Sequence, residues 1–462
     1  MSRLTHTVQY SRPSAVRPGI DGTRSLDLAT SGGSTSRGRP AHPRFYSGFL
    51  TEPAAAAAAV LAVADVASAR YDRRDLSRFL DPVVTGNGDR LRWESFSACC
   101  GVYARLDLLR EGLDGDEIGY GTTNVDVNEP LRDALSHIGR EDPLYLRVGS
   151  DEVAVTTVDG EVVEKKVPLS DRWLRGFAEA AAITAGFDLR AELPAAEAIT
   201  FLRTAFRPGR GSSTVWMMPA GRSLRPTTRP GPGAVCLAGG QRLVSLRRVL
   251  RHATGLRVYG PSVDRLDTVA SSAWEVLLPG MRLTFVLSPE FGRGFSGEGA
   301  ALDALASDGA GVDGELLAML LSWEPRLDPR NLAVRSGLTP QQVRAALAWL
   351  GASGRIGFDL ADSAYFHREL PYEAQRVDKH NPRLRAAREL VDAGAVVLDD
   401  DGEGATVTSN GKVHRVRCAD SSPACTCQWW TTYRGGRGPC KHALAVTITR
   451  RSAVQAAKEI SQ

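Results

Sequence analysis

Cysteine is scarce in this chain, seven in 462 residues, and that excludes a disulfide scaffold, which is short and cysteine-dense. The setting this predicts is a reducing cytoplasm. No apolar run reaches the roughly 20 residues that a bilayer-spanning helix needs. The longest, Ala54 to Ala64, is bounded by Glu52, Asp65 and Arg70 and predicts a soluble helix; it also lies too far from the start for a secretory signal. No membrane partner is expected. A Gly-rich phosphate loop ending in Lys and an HExxH helix are both absent, so no recognisable reaction stands in the chain and a non-catalytic role is expected. Lysine is nearly missing, six against 51 arginines. Together with abundant Ala and Gly this reads as genomic base composition, so arginine abundance alone says little.

Charge placement says more. The net charge is +4, but residues 1–50 carry +5, residues 405–455 carry +7 and the remainder sums to −8. A basic tail module on an acidic body suits nucleic acid or an acidic protein surface.

That basic tail holds the most specific pattern in the chain. Cys425, Cys427, Cys440 and His442 form a CxC, twelve intervening residues, then a CxH. Three thiolates and one imidazole complete a closed tetrahedral set, the ligand type of structural zinc. Residues two apart on an extended segment point the same way, so Cys425 and Cys427 can bite one ion together. Inside a helix they would diverge, which puts Cys440 before a helix and His442 in its first turn, with Lys441 to Thr449 continuing it after Gly438-Pro439. Ala405 to Ser409 and Lys412 to Arg417 read as strands joined by Asn410-Gly411, a strong hairpin signal.

This pattern resembles the SWIM zinc finger, whose CxC…CxH ligands sit on a ββα unit. The resemblance implies bound Zn2+ held by Cys425, Cys427, Cys440 and His442, and a role in nucleic-acid or protein interaction. Further stretches, CGVYARLDLL from Cys100, GTTNVDVN from Gly121, AYFHRELPY from Ala364 and RGGRGPCKHAL from Arg434, resemble bacterial, actinobacterial-like SWIM zinc finger proteins. Such proteins look like companions of MoxR-type AAA ATPase and von Willebrand factor A systems, which makes a protein-protein adaptor with no nucleic-acid binding the alternative function.

The expected architecture is α+β and multidomain. Residues 1–44 are a mostly flexible basic segment, with Val8 to Tyr10 and Leu26 to Leu28 as possible short strands. Residues 45–208 form an α+β domain, with a β-meander over 144–167 and helices at Trp173 to Ile183 and Ala195 to Thr204. Residues 209–300 form a β-rich unit, and 301–372 a winged-helix-like segment: Asp328-Pro329 and Thr339-Pro340-Gln341-Gln342 start helices, Gly337 makes the turn, and 355–360 and 365–370 pair as a wing. Residues 373–404 are a helical linker and 405–452 the zinc finger.

Several clusters admit two readings. Arg415, Arg417, Trp429, Trp430, Tyr433, Arg434, Arg437 and Lys441 interleave basic and aromatic groups, as stacking and phosphate contact require; equally, a small zinc module needs aromatic cover and cations beside its net −1 metal site. Gln341, Gln342 and Arg344 would start a recognition helix, or the segment would serve only protein contact. His367 and Glu369 could share a face for chemistry, or lie exposed on the wing. Asn124, Asp126 and Asn128 could bind a ligand or order a turn, and the acidic run Asp399, Asp400, Asp401 and Glu403 reads as a solvated turn.

Overall fold

This computed structural model describes residues 15–18, 24–27, 44–69, 82–169, 171–206, 214–264, 269–307, 309–320, 324–370, 381–399, 403–418 and 423–460. Near the start, strands β1 (Ala15–Pro18) and β2 (Arg24–Asp27) pair antiparallel. Val8 to Tyr10 lies outside the described residues, as do Asp400 and Asp401.

Two antiparallel sheets dominate. Strands β3 (Arg44–Leu50), β4 (Val83–Asn87), β5 (Arg90–Phe96), β6 (Val102–Leu109), β7 (Leu113–Gly115) and β8 (Tyr120–Asn124) come first; β9 (Tyr145–Gly149), β10 (Glu152–Thr157) and β11 (Gly160–Lys165) are the expected meander. The meander joins β3 and β7 in a five-stranded sheet, ordered β11-β10-β9-β3-β7. Helix α1 (Pro53–Ser68) is buried along nearly its whole length. Its alanines let it lie close against β5 and β6, where larger side chains would force the layers apart. Asn128 caps α2 (Glu129–Ser136) through its side chain and donates to Glu164 at 2.9 Å, while the Asn124 amide donates to the Val167 carbonyl. Asn128 therefore orders the local backbone, whereas Asn124 ties β8 to the segment that follows β11.

After α3 (Asp171–Thr184), β12 (Asp188–Pro194) and α4 (Ala195–Ala205), strands β13 (Thr214–Ala220), β14 (Ser223–Thr227) and β15 (Val235–Ala238) form a small sheet, and a 3-10 helix spans Gly240–His252. Strands β16 (Gly255–Gly260), β17 (Ser272–Leu278) and β18 (Met281–Leu287) then complete an eight-stranded sheet, ordered β12-β16-β17-β18-β6-β5-β4-β8. The boundary expected at residue 208 runs through this sheet: β6 pairs with β18, from Val102 opposite Leu287 to Leu108 opposite Met281. Alternation of apolar residues marks each strand locally but does not say which distant strand it pairs with, so one structural unit reads as two.

Helix α5 (Leu302–Leu305) leads into α6 (Ala310–Leu320), α7 (Pro329–Ser336) and α8 (Pro340–Ala352), followed by the paired strands β19 (Ile356–Asp359) and β20 (Ala364–His367). The local signals hold here. Asp328 caps α7, Thr339 and Gln342 form a capping box on α8, and Gly337 turns at φ 72°. The β19-β20 pair is not exposed, however. The Asp359 carboxylate receives Arg105 at 3.0 Å, Arg282 at 3.1 Å, Arg92 at 3.2 Å and Arg90 at 3.4 Å, all from the large sheet. Arg368 pairs with Glu94 and lies 4.1 Å from the Phe177 ring centroid. His367 is 3% exposed, and burial, with Arg355 adding to it, pushes its pKa down to about 3. The expectation of exposed wing residues at His367 is thus corrected: the strand pair is a plug in the sheet, held by charges that the sequence distributes over nearly three hundred residues.

The carboxyl-terminal part comprises α9 (Pro382–Asp392), β21 (Val396–Leu398), β22 (Gly404–Ser409), β23 (Lys412–Arg417), β24 (Ala424–Cys425), α10 (Gln428–Tyr433) and α11 (Lys441–Ile460). The strands form one antiparallel sheet in chain order. Asn410 and Gly411 turn between β22 and β23 with φ of 52° and 70°, the double positive-φ turn that an Asn-Gly pair favours. The segment expected as a linker contributes here: β21 extends the sheet, and α9 packs on α11. Leu384 and Ala387 of α9 share one apolar cluster with Leu444 and Ile448 of α11 and with Leu302 of α5, so the terminal module is packed into the body. No helix among the described residues is long and apolar enough to cross a membrane.

Candidate metal centre

Each ligand is placed by a different local device. Cys425 ends β24, held opposite Val416 by strand pairing. Cys427 is the N-cap of α10, and its sulfur accepts the Trp430 N–H at 3.5 Å. Cys440 directly precedes α11, and its sulfur accepts the Ala443 N–H at 3.4 Å. His442 is the second residue of α11, with Nδ1 3.8 Å from the Cys425 sulfur.

The four donor atoms lie within 4.8 Å of one another, and all four residues are buried. Tetrahedral zinc, with bonds of about 2.3 Å to sulfur and about 2.0 Å to nitrogen, requires donors about 3.5–3.8 Å apart. The cluster meets that demand with small adjustments, and its donor set is the one structural zinc takes. These residues fit a bound zinc ion, with backbone N–H groups at the starts of two helices offsetting thiolate charge. Hydrogen bonds, first from Cys425 and then from His442 and Ala443, pull the Cys440 thiol down to about 4, whereas burial raises Cys427.

The eight basic and aromatic residues expected at an interface do not form one surface. Arg415, Arg417 and Arg434 are exposed. Arg415 and Arg417 alternate with Val413 along β23, so the three share the outer face of the sheet, and Val397, paired through Thr406, joins them. Arg434, at φ 44°, closes the end of α10. Lys441 is half-buried at the start of α11, and Trp430 is half-buried against the metal's own core.

Trp429, Tyr433 and Arg437 instead face the body. The Trp429 and Tyr433 rings meet at 4.5 Å, and the Arg437 guanidinium sits 5.0 Å from Tyr433 and 5.7 Å from Trp429. Arg437 donates to the Gly297 carbonyl at 3.0 Å. Arg383 lies 4.5 Å over Trp429 and donates to the carbonyls of Arg437 at 2.6 Å and Pro439 at 3.1 Å, and also to those of Gly297 and Glu298. Contact is close enough that a Cβ on Gly438, at φ 71°, would stand 2.5 Å from the Gly299 carbonyl oxygen. Nearby, buried Glu179 accepts the Ala300 N–H at 2.8 Å, and burial raises its carboxyl to about 7 against an opposing pull from that hydrogen bond and Arg383.

Two residues of this centre escape sequence reasoning. His414 stacks on His442 with centroids 4.2 Å apart; its parity with Val416 on β23 is a signal that points it at the metal side. Arg383 carries no local signal, since its partners lie far along the chain.

No curated protein matches the chain. Among solved structures, it is similar to Proliferating Cellular Nuclear Antigen from Entamoeba histolytica, at 11% identity over 54% of this chain and 100% of that one, with a TM-score of 0.33. It is likewise similar to the PCNA2-PCNA3 complex from Sulfolobus tokodaii, at 12% identity over 53% of this chain and 99% of that one, with a TM-score of 0.36. At those scores neither likeness bears on fold or role. The terminal module is different: residues 414–450, which include all four ligands, match the family model of the SWIM zinc finger.

Proposed function

We propose that this is a non-catalytic, cytoplasmic zinc protein in which the metal folds the terminal module and the module serves as a protein-docking adaptor. The observation that carries this reading is the placement of Trp429 between Arg383 and Arg437. Aromatic faces that would stack on nucleobases are spent on seating the finger against the body. The sheet of the finger offers its outer face to solvent, Val397, Val413, Arg415 and Arg417, a mixed apolar and basic patch without aromatics that suits an acidic protein partner.

The order α6, α7, α8, β19 and β20, with Leu327 bridged to Tyr365, supports a winged helix-turn-helix reading of this segment. Its wing is committed to the large sheet, which favours a packing role over DNA recognition by Gln341, Gln342 and Arg344. The ββα finger that the resemblance implies corresponds in this reading to β22, β23 and α11. A MoxR-type AAA ATPase system is the partner class to test first.

The test is affinity capture from the native cell with and without nuclease, alongside gel-shift assays at low salt. Nuclease-resistant protein partners lost on changing Arg415 and Arg417 to Glu support the adaptor. Salt-dependent affinity for DNA or RNA, lost on changing Arg415, Arg417 and Arg434 to Ala, would replace it with the nucleic-acid reading.

A further inference from the structure

Far from the metal, helix α4 stands as a ridge between two recesses. On one flank is a cleft of about 380 Å³ lined by Phe201, Met217, Leu224 and Leu237, with Thr200 and Thr204 at its wall. On the other is a groove of about 600 Å³ between α4 and the 3-10 helix, lined by Arg203, Arg247, Arg248 and Arg251. Its floor is apolar: Ile199, Phe206 and Leu250. All four arginines are exposed. Asp65 pairs with Arg248 at 2.6 Å, but its carboxylate is shared with Arg132 at 2.9 Å, so the groove keeps a net positive charge.

We propose that the two flanks of α4 form a recognition site for an acidic peptide segment, its carboxylates in the arginine groove and an apolar side chain in the cleft. Charge complementarity selects the anion, since bidentate guanidinium–carboxylate contacts give geometry as well as attraction. The choice of peptide over single-stranded nucleic acid rests on the aromatic groups. Phe201 is stacked on Trp274, centroids 5.2 Å apart at 11°, and Phe206 lies under Arg247 at 5.3 Å, so each ring has one face already taken by the protein. A phosphate backbone also brings nothing to fill an apolar cleft, whereas a Leu or Trp side chain does.

The experiment uses the full zinc-loaded chain and three fluorescein-labelled probes in anisotropy at 50 and 200 mM salt: a twelve-residue Glu/Asp peptide with one central Trp, the same length of poly-Glu, and a dT20 oligonucleotide. The Trp-containing acidic peptide is expected to bind tightest. Its affinity should fall at least tenfold in the R247E/R251E double variant and in Thr204→Trp, which fills the cleft, while Arg330→Glu, a single charge reversal of the same kind on α7, has no such effect. Thermal melts of each variant check folding; Arg247 and Arg251 are surface residues, so their double variant decides the matter even if Thr204→Trp is unstable. No peptide binding at 50 mM salt, or an equal loss with Arg330→Glu, overturns the proposal. Tighter binding of dT20, abolished by R247E/R251E, reassigns the groove to nucleic acid.

Discussion

The guanidinium of Arg383 lies 4.5 Å over the ring of Trp429 while its own N–H groups hold the carbonyls of Arg437 and Pro439. Pro439 immediately precedes the ligand Cys440. One side chain of α9 thus grips the loop that delivers a metal ligand, so closure of the metal site and seating of the finger on the body are linked equilibria.

Replacing Arg383 by Ala removes a half-buried cation and leaves several carbonyls short of a donor. The expected loss is about 2–4 kcal/mol. It should appear as a lowered denaturation midpoint together with weaker zinc retention against a chelator; a midpoint shift with unchanged zinc affinity would uncouple the two.

Changing Cys425 or His442 to Ala should take zinc content from one equivalent to near zero by atomic absorption. Because small zinc modules draw about 10–16 kcal/mol of apparent binding energy from the metal, residues 405–450 should then become sensitive to protease. Unchanged metal content in either variant would contradict the ligand assignment.

Asp359 collects four arginines in a buried site. Burial alone would raise its carboxyl, but Arg105, Arg282, Arg92 and Arg90 outweigh that and hold it far below the ordinary range. A depressed folded value means its contribution is complete above the unfolded value of about 4 and is lost progressively as pH falls below it. Asp359→Asn leaves the four arginines one counter-charge short, with Asp107 and Asp362 still beside them, and should destabilise by about 3–5 kcal/mol at neutral pH, with a shallower acid limb in urea titrations.

Glu179 behaves in the opposite sense. Burial lifts its carboxyl from 4.5 to about 7, so the folded chain prefers the protonated form. Stability from this group is complete below about pH 4.5 and declines as pH rises towards 7, by about 3 kcal/mol at most. Glu179→Gln keeps an acceptor for the Ala300 N–H and removes the ionisation. The variant should match the parent near pH 5 and exceed it near pH 8; equal stabilities at both would show that Glu179 ionises as an ordinary carboxyl.

The legible parts of this protein were those fixed by neighbours in sequence. Asn410-Gly411, Thr339 with Gln342, Asp328 and the CxC…CxH spacing each specify a turn, a cap or a ligand pair over a few residues, and each stands where the local chemistry demands. What stayed hidden was pairing at a distance. Nothing in Val102 to Leu108 announces β18, nothing in Arg92 or Arg105 announces Asp359, and Trp429 reads as an interface residue until Arg383 is seen above it. Arginine in a composition already rich in it gave no warning that so many guanidinium groups are interior.

The pairing of β6 with β18 carries a consequence for synthesis. At a ribosomal pace of about 5–20 residues per second, roughly 10–35 s separate emergence of the first strand from that of the second. Through that interval the inner edge of an apolar hairpin, Leu91 to Leu108, has no neighbour to close it. Chaperone occupancy during translation should therefore peak on nascent chains between these two strands and drop once Leu287 has left the tunnel.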